Sequence, residues 1–180
     1  FGFIWNNTAK IYAVKTDSSG NLIWEKEFGN RGYNLGNSCV ETPDGNYIIA
    51  GTLNFDAALI KVDAFTGNTL PGWPKIWDLG SEDSFEAVEL TEDGGLIATG
   101  YRDGLAENTF INWGSGNLIK TNADGIEIWN KDISASMSSG YRIKRINDGY
   151  MVSGHPAIEG NEDYTLIKFD FNGNVVWKKT

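Results

Sequence analysis

A short phrase recurs four times along the chain, and it constrains the fold more than any other feature. It reads Ala13-Val14-Lys15-Thr16-Asp17, Leu59-Ile60-Lys61-Val62-Asp63, Leu118-Ile119-Lys120-Thr121-Asn122 and Leu166-Ile167-Lys168-Phe169-Asp170. A glycine follows each copy, at Gly20, Gly67, Gly125 and Gly173. A tryptophan follows each glycine, at Trp24, Trp73, Trp129 and Trp177. The step from Asp or Asn to Trp is 7 positions in three copies and 10 in the second, where Trp77 is the other candidate. A second phrase recurs three times, as Asp44-Gly45 to Gly51, Asp93-Gly94 to Gly100 and Asp148-Gly149 to Gly154.

The tryptophans are spaced 49, 56 and 48 residues apart. A period near 50 indicates a solenoid or a propeller. Helical repeats fit poorly, because the apolar residues come in runs of four or five bounded by Gly, Asn and Asp. Asp-Gly favours hairpin turns, which need positive φ. Each unit is therefore expected to hold four strands, like 85–90, 96–100, 117–120 and 126–131 in the third. Four antiparallel strands per repeat is the pattern of a propeller blade. The expected fold class is all-β and propeller-like, with about 3.5 blades in a single domain over 1–180. A half-blade would span about 1–29, and whole blades about 30–80, 81–133 and 134–180.

The Asp-x-x-(Thr)-Gly-x-x-x-Trp phrase resembles the tryptophan-docking repeat of the PQQ-like, quinoprotein-type β-propellers. Asp63-Ala64-Phe65-Thr66-Gly67 carries the core, and the other copies are one residue shorter and lack the Thr. The texture of the chain is also similar to secreted bacterial repeat propellers with no assigned activity. That resemblance implies a bacterial extracellular or periplasmic location. The quinone-dependent dehydrogenases need dedicated cofactor and calcium ligands, for which this chain shows no motif, so no cofactor is expected.

The tryptophans are expected to wedge between neighbouring blades, where each ring would bury roughly 150–250 Å². Asp17, Asp63, Asn122 and Asp170 are expected to organise their turns by accepting backbone N–H bonds. The segment from Asp170 to Asn174 is not expected to be a calcium loop, because it lacks the downstream Glu of an EF-hand and its sibling turns lack the oxygens. No metal is expected anywhere.

Composition narrows the function classes. The formal net charge is −9, so a nucleic-acid partner and an anionic membrane surface are both disfavoured. No apolar run approaches the roughly 20 residues of a membrane span. An aromatic content of 13% argues against disorder. The one cysteine, Cys39, excludes an internal disulfide framework. The chain begins at Phe1 and is expected to be a mature product or a piece of a longer propeller. An arc of about 3.5 blades would leave two apolar blade faces uncovered, so a homo-oligomer is expected, a closed dimer first and an irregular four-blade monomer second.

Strand direction alternates within a blade, so two sets of connections share opposite faces. The variable set comprises 6–10, 53–56, 101–116 and 155–163, with 30–37, 81–83 and 134–140. Variable loops on a repetitive scaffold are where binding concentrates. Tyr101, Arg102 and Trp113 on the longest loop are expected to form a stacking and hydrogen-bonding surface for sugar or peptide. Arg31, Tyr33 and His155 would face the same side. The alternative for Trp113 is that it folds back to cap its blade. Catalysis finds little support, since His155 is the only histidine and Gly-x-Ser-x-Gly is absent. Glu82, Asp83, Glu86 and Glu89 are expected to form an acidic, solvated edge. The functional expectation is a non-catalytic binding or scaffolding module for carbohydrate or protein. The alternative is a glycan-active hydrolase or lyase using carboxylates on the same face.

Overall fold

The computed structural model describes residues 9–104, 114–157 and 163–180. Every regular element among them is a strand, and all pairing within the sheets is antiparallel. The first sheet has two strands, β1 (Ile11–Thr16) and β2 (Leu22–Phe28). The second runs β3 (Leu35–Glu41), β4 (Tyr47–Leu53), β5 (Asp56–Val62) and β6 (Lys75–Trp77) in spatial order. The third is β7 (Ser84–Leu90), β8 (Leu96–Arg102), β9 (Ser115–Thr121) and β10 (Glu127–Asp132). The fourth is β11 (Met137–Ile146), β12 (Gly149–Pro156), β13 (Thr165–Phe169) and β14 (Val175–Lys179). The chain is thus all-β, in four meandering sheets of two to four strands.

Consecutive sheets pack face to face, and the core lies in three layers between them. Ile11 and Ala13 meet Ile49, Ile60 and Val62 between the first and second sheets. Ile48 and Leu59 meet Phe85, Leu96 and Ile119 between the second and third. Ile97 and Leu118 meet Val152, Ile167 and Phe169 between the third and fourth. The middle strands β4, β5, β8 and β9 are covered on both faces, which explains the apolar runs Tyr47–Ala50, Ala57–Ile60 and Leu96–Ala98. Each fully buried aliphatic side chain there contributes about 1.5–3 kcal/mol. The first strands of the sheets also lie next to one another, β3 against β7 and β7 against β11.

The repeated residues have repeated jobs. Asp17 Oδ1 accepts the N–H groups of Ser19 and Asn21, and Asp170 Oδ1 those of Asn172 and Asn174. Asn122 Oδ1 does the same for Asp124 and Ile126, and Asp63 Oδ1 for Phe65 and Thr66. Trp24, Trp73 and Trp129 are half-buried, each against the turn glycine of the following sheet. A Cβ added at Gly67, Gly125 or Gly173 would lie 2.7, 2.6 or 2.9 Å from the respective ring. Trp73 is therefore the counterpart in the second unit. Trp77 instead donates its indole N–H to Glu127, at 2.8 Å, and packs edge-on against Phe85. Trp177 is exposed at the far face of the last sheet.

The lysine of the first phrase pairs with the aspartate of the second. Lys61–Asp44, Lys120–Asp93 and Lys168–Asp148 are 2.7, 2.8 and 2.6 Å apart. Lys61, with help from Thr42, holds the Asp44 carboxyl far below the usual carboxylate range. Lys120 and Thr91 lower that of Asp93 to about 2.

Candidate functional site

Each complete sheet breaks its pairing at the same place. The register shifts between Gly36 and Ser38 in β3, Phe85 and Ala87 in β7, and Gly140 and Arg142 in β11. A bulge of this kind leaves one residue unpaired and re-aims its side chain. Those residues are Asn37, Glu86 and Tyr141. The facing glycines, Gly51, Gly100 and Gly154, end the second phrase. The carbonyl oxygens of Leu35, Ser84 and Ser139 fill the space where their Cβ atoms would be. Glycine closes that phrase because the bulged strand approaches too closely for any side chain.

The three bulge residues form a polar row across the adjacent first strands. Asn37 Nδ2 donates to Ser84 Oγ at 2.9 Å, Phe85 O at 3.2 Å and Glu86 Oε1 at 3.3 Å. Burial raises the Glu86 carboxyl, against the lowering effects of the Ser84 hydroxyl and the Arg142 charge. Burial also raises the Tyr141 hydroxyl, and the Glu86 charge adds to it. Tyr33 is raised by burial and then by Glu82 and Glu86.

The connections on this side are laced together. Asn34 and Asp83, each one residue before a first strand, are fully buried. Asn34 Oδ1 accepts the N–H of Asn54 at 2.8 Å, and Asp83 Oδ1 accepts that of Asp103 at 2.8 Å. Asn54 and Asp103 both have positive φ, a region that Asn and Asp tolerate better than most residues. Backbone bonds continue the lacing from Phe55 N to Tyr33 O, Asp83 N to Phe55 O and Gly104 N to Glu82 O. The described parts of these connections are thus tied to one another.

Of the residues singled out on this face, Tyr33 is half-buried and stacked on Phe55. Arg31 is exposed, and its backbone carbonyl accepts from Asn34. His155 is buried, with its ring edge-on to Tyr141 and tilted against the exposed Tyr164. Tyr101 departs from the expected stacking surface. It is 1% exposed and donates its hydroxyl to Glu82 at 2.8 Å. Burial, then the Glu82 charge, drives its hydroxyl far above the normal tyrosine range. Arg102 pairs with Asp132 on the third sheet. Trp113 lies outside the described residues.

The acidic edge does not form either. Glu82 and Asp83 are buried, with Asp103 and Gly104 folded back onto them. Glu89 pairs with Lys144 of the next sheet at 2.9 Å. Asp56, Asp78 and Asp83 bring carboxylate oxygens within 4.8 Å of one another. This is the one such trio among the described residues. Both Asp83 oxygens are already engaged, by the N–H groups of Leu79 and Asp103. Asp56 is raised by burial and then by the charges of Asp78 and Asp83.

A separate cavity of about 260 Å³ opens between β1 and the second sheet, lined by Lys15, Trp24, Cys39 and Tyr47 among others. It lies where two strands of the first sheet face four of the second.

No protein-family model matches the chain, and no curated protein matches it. Among solved structures, a protein of unknown function from Bacteroides caccae is similar over 96% of this chain and 80% of its own, at 13% identity and a TM-score of 0.40. Likeness at that level fixes neither fold nor function.

Proposed function

We propose that this chain is a non-catalytic binding module of the repeat β-propeller type, similar to the PQQ-like propellers in its blades but without their cofactor. Its ligand surface is the face that carries the bulge row and the laced connections. The blade reading is supported by the packing of first strand on first strand and by the tryptophan-on-glycine contacts between successive sheets. An extracellular or periplasmic location belongs to the same reading and rests on the resemblance.

The observation that carries the ligand surface is the row Asn37–Glu86–Tyr141. Three unlike residues occupy one structural position, on bulges that turn them out of the ladder. Such a row is poorly explained by the needs of the sheets, whose other repeated positions keep similar residues. Amide, carboxylate and phenol groups beside the rings of Tyr33, Phe55 and Tyr164 match a polyhydroxylated ligand. Aromatic faces take the apolar side of a sugar and the polar groups take its hydroxyls. Three further carboxylates of this side hold structural bonds: Glu82 to Tyr101, Asp83 to backbone, Asp132 to Arg102.

A glycan array probed with the whole chain tests this. Binding to at least one glycan class is expected, lost in Glu86→Gln and Tyr141→Ala with unchanged circular dichroism. Release of reducing ends from a polysaccharide, abolished by a single carboxylate substitution, would overturn it in favour of a glycan-active enzyme.

A further inference from the structure

Three junctions inside the chain share one fitting. Trp24, Trp73 and Trp129 cover Gly67, Gly125 and Gly173, and all three glycines are buried. The lysine two residues beyond each tryptophan lies along the same glycine. Lys26, Lys75 and Lys131 set Cγ 2.9, 2.7 and 3.1 Å from the Cβ position. A lysine of the earlier sheet also acts on the carboxylate of the next turn, Lys15 on Asp63 and Lys131 on Asp170.

The two halves of a fourth fitting stand at opposite ends. On the last sheet Trp177 is 38% exposed, and Lys179 follows it at the same two-residue step. Leu166 there is 37% exposed, while its counterparts Leu59 and Leu118 are fully covered by the following sheet. On the first sheet Gly20 is exposed at φ 83°, with nothing described within 4 Å of its Cβ position. Val14 is 46% exposed, while its counterpart Ile60 is 2% exposed beneath the preceding sheet. Asp17 is held by Ser19, Gly20 and Asn21 of its own turn.

We propose that a second copy of this chain completes the fitting: the last sheet of one copy docks on the first sheet of another, with Trp177 on Gly20 and Lys179 beside Asp17. A second copy is the fitting occupant because each end carries one half of the contact already made three times within the chain. The charges also correspond, a lysine on one side and an exposed carboxylate on the other. The two patches differ, so the contact is heterologous, and it closes into a ring or extends as a row. It stands independently of the ligand surface.

Light scattering on the whole chain tests it with Trp177→Ala, Gly20→Asn and an equimolar mixture of the two. Asparagine tolerates the left-handed backbone of Gly20, and nothing described in its own chain obstructs the side chain, so that variant keeps its fold. Wild type is expected at twice the 19.8 kDa of one chain, or more. Each variant alone is expected at the single-chain mass. The mixture is expected to restore a two-chain species, because it retains one intact Trp177 and one intact Gly20 on different molecules. Wild type at the single-chain mass up to its solubility limit would overturn the proposal. So would variants that assemble as wild type does, or a mixture that stays monomeric.

Discussion

The indole of Trp129 lies against Gly173 of the following sheet, close enough that a Cβ at that glycine would sit 2.9 Å from the ring. The contact joins two turns of the same repeat in successive units. Trp129→Ala is therefore expected to lose about 3 kcal/mol, at the lower end for a tryptophan because the ring is half-buried. At concentrations low enough to keep the protein as single chains, Trp177→Ala is expected to lose under about 1 kcal/mol, since no described sheet of its own chain covers that ring. Urea unfolding of both variants checks the difference. Equal losses would contradict the docking role of Trp129.

Gly125→Ala and Gly20→Ala separate backbone strain from crowding. Both glycines have positive φ, 72° and 83°, so both substitutions pay the strain of a left-handed alanine, about 1 kcal/mol. Only at Gly125 does the new methyl also meet a ring, that of Trp73 at 2.6 Å. The thermal midpoint of Gly125→Ala is expected to fall clearly below that of Gly20→Ala.

The repeated Lys–Asp pairs give a defined acid response. The Asp93 carboxyl, lowered to about 2 chiefly by Lys120, has an unfolded value of about 3.9. Its stabilisation is thus fully present above about pH 4 and lost as pH falls toward about 2. The carboxylate is more than half exposed, so solvent screening keeps the contribution under about 1 kcal/mol. Asp93→Asn is expected to be slightly less stable than wild type at pH 7, with the gap closing as pH drops through that window. Urea midpoints at several pH values measure it.

Glu86 runs the other way. Its carboxyl is raised by burial, so the charged form is disfavoured in the folded chain. The cost appears as pH rises through the folded value and is absent below the unfolded value of about 4.3. Glu86→Gln keeps an oxygen for the Asn37 amide and is expected to be more stable than wild type at pH 8. That advantage should vanish near pH 4. An advantage independent of pH would contradict the assignment.

The four-strand unit was legible because its punctuation is covalently simple. Glycine at positive φ, Asp-Gly turns and a ring at fixed distance need no knowledge of distant partners. The pairing of Lys61, Lys120 and Lys168 with Asp44, Asp93 and Asp148 was present in the two phrases, but their adjacency depends on strand register. The bulge row was hidden for a different reason. Asn37, Glu86 and Tyr141 share a backbone irregularity and no side-chain chemistry, so no residue pattern marks them. The glycine closing the second phrase was the available signal, since it faces each bulge. Tyr101 read as a surface residue because it opens a long connection, and Glu82 because it stands in a cluster of acidic residues. Their mutual hydrogen bond and the fold-back of Gly104 onto Glu82 bury them.

Proton NOE spectroscopy of the whole chain tests the sheet-to-sheet docking most directly. Cross-peaks are expected between the indole protons of Trp24, Trp73 and Trp129 and the α-protons of Gly67, Gly125 and Gly173 respectively. Indole resonances with cross-peaks only within their own sheets would contradict it.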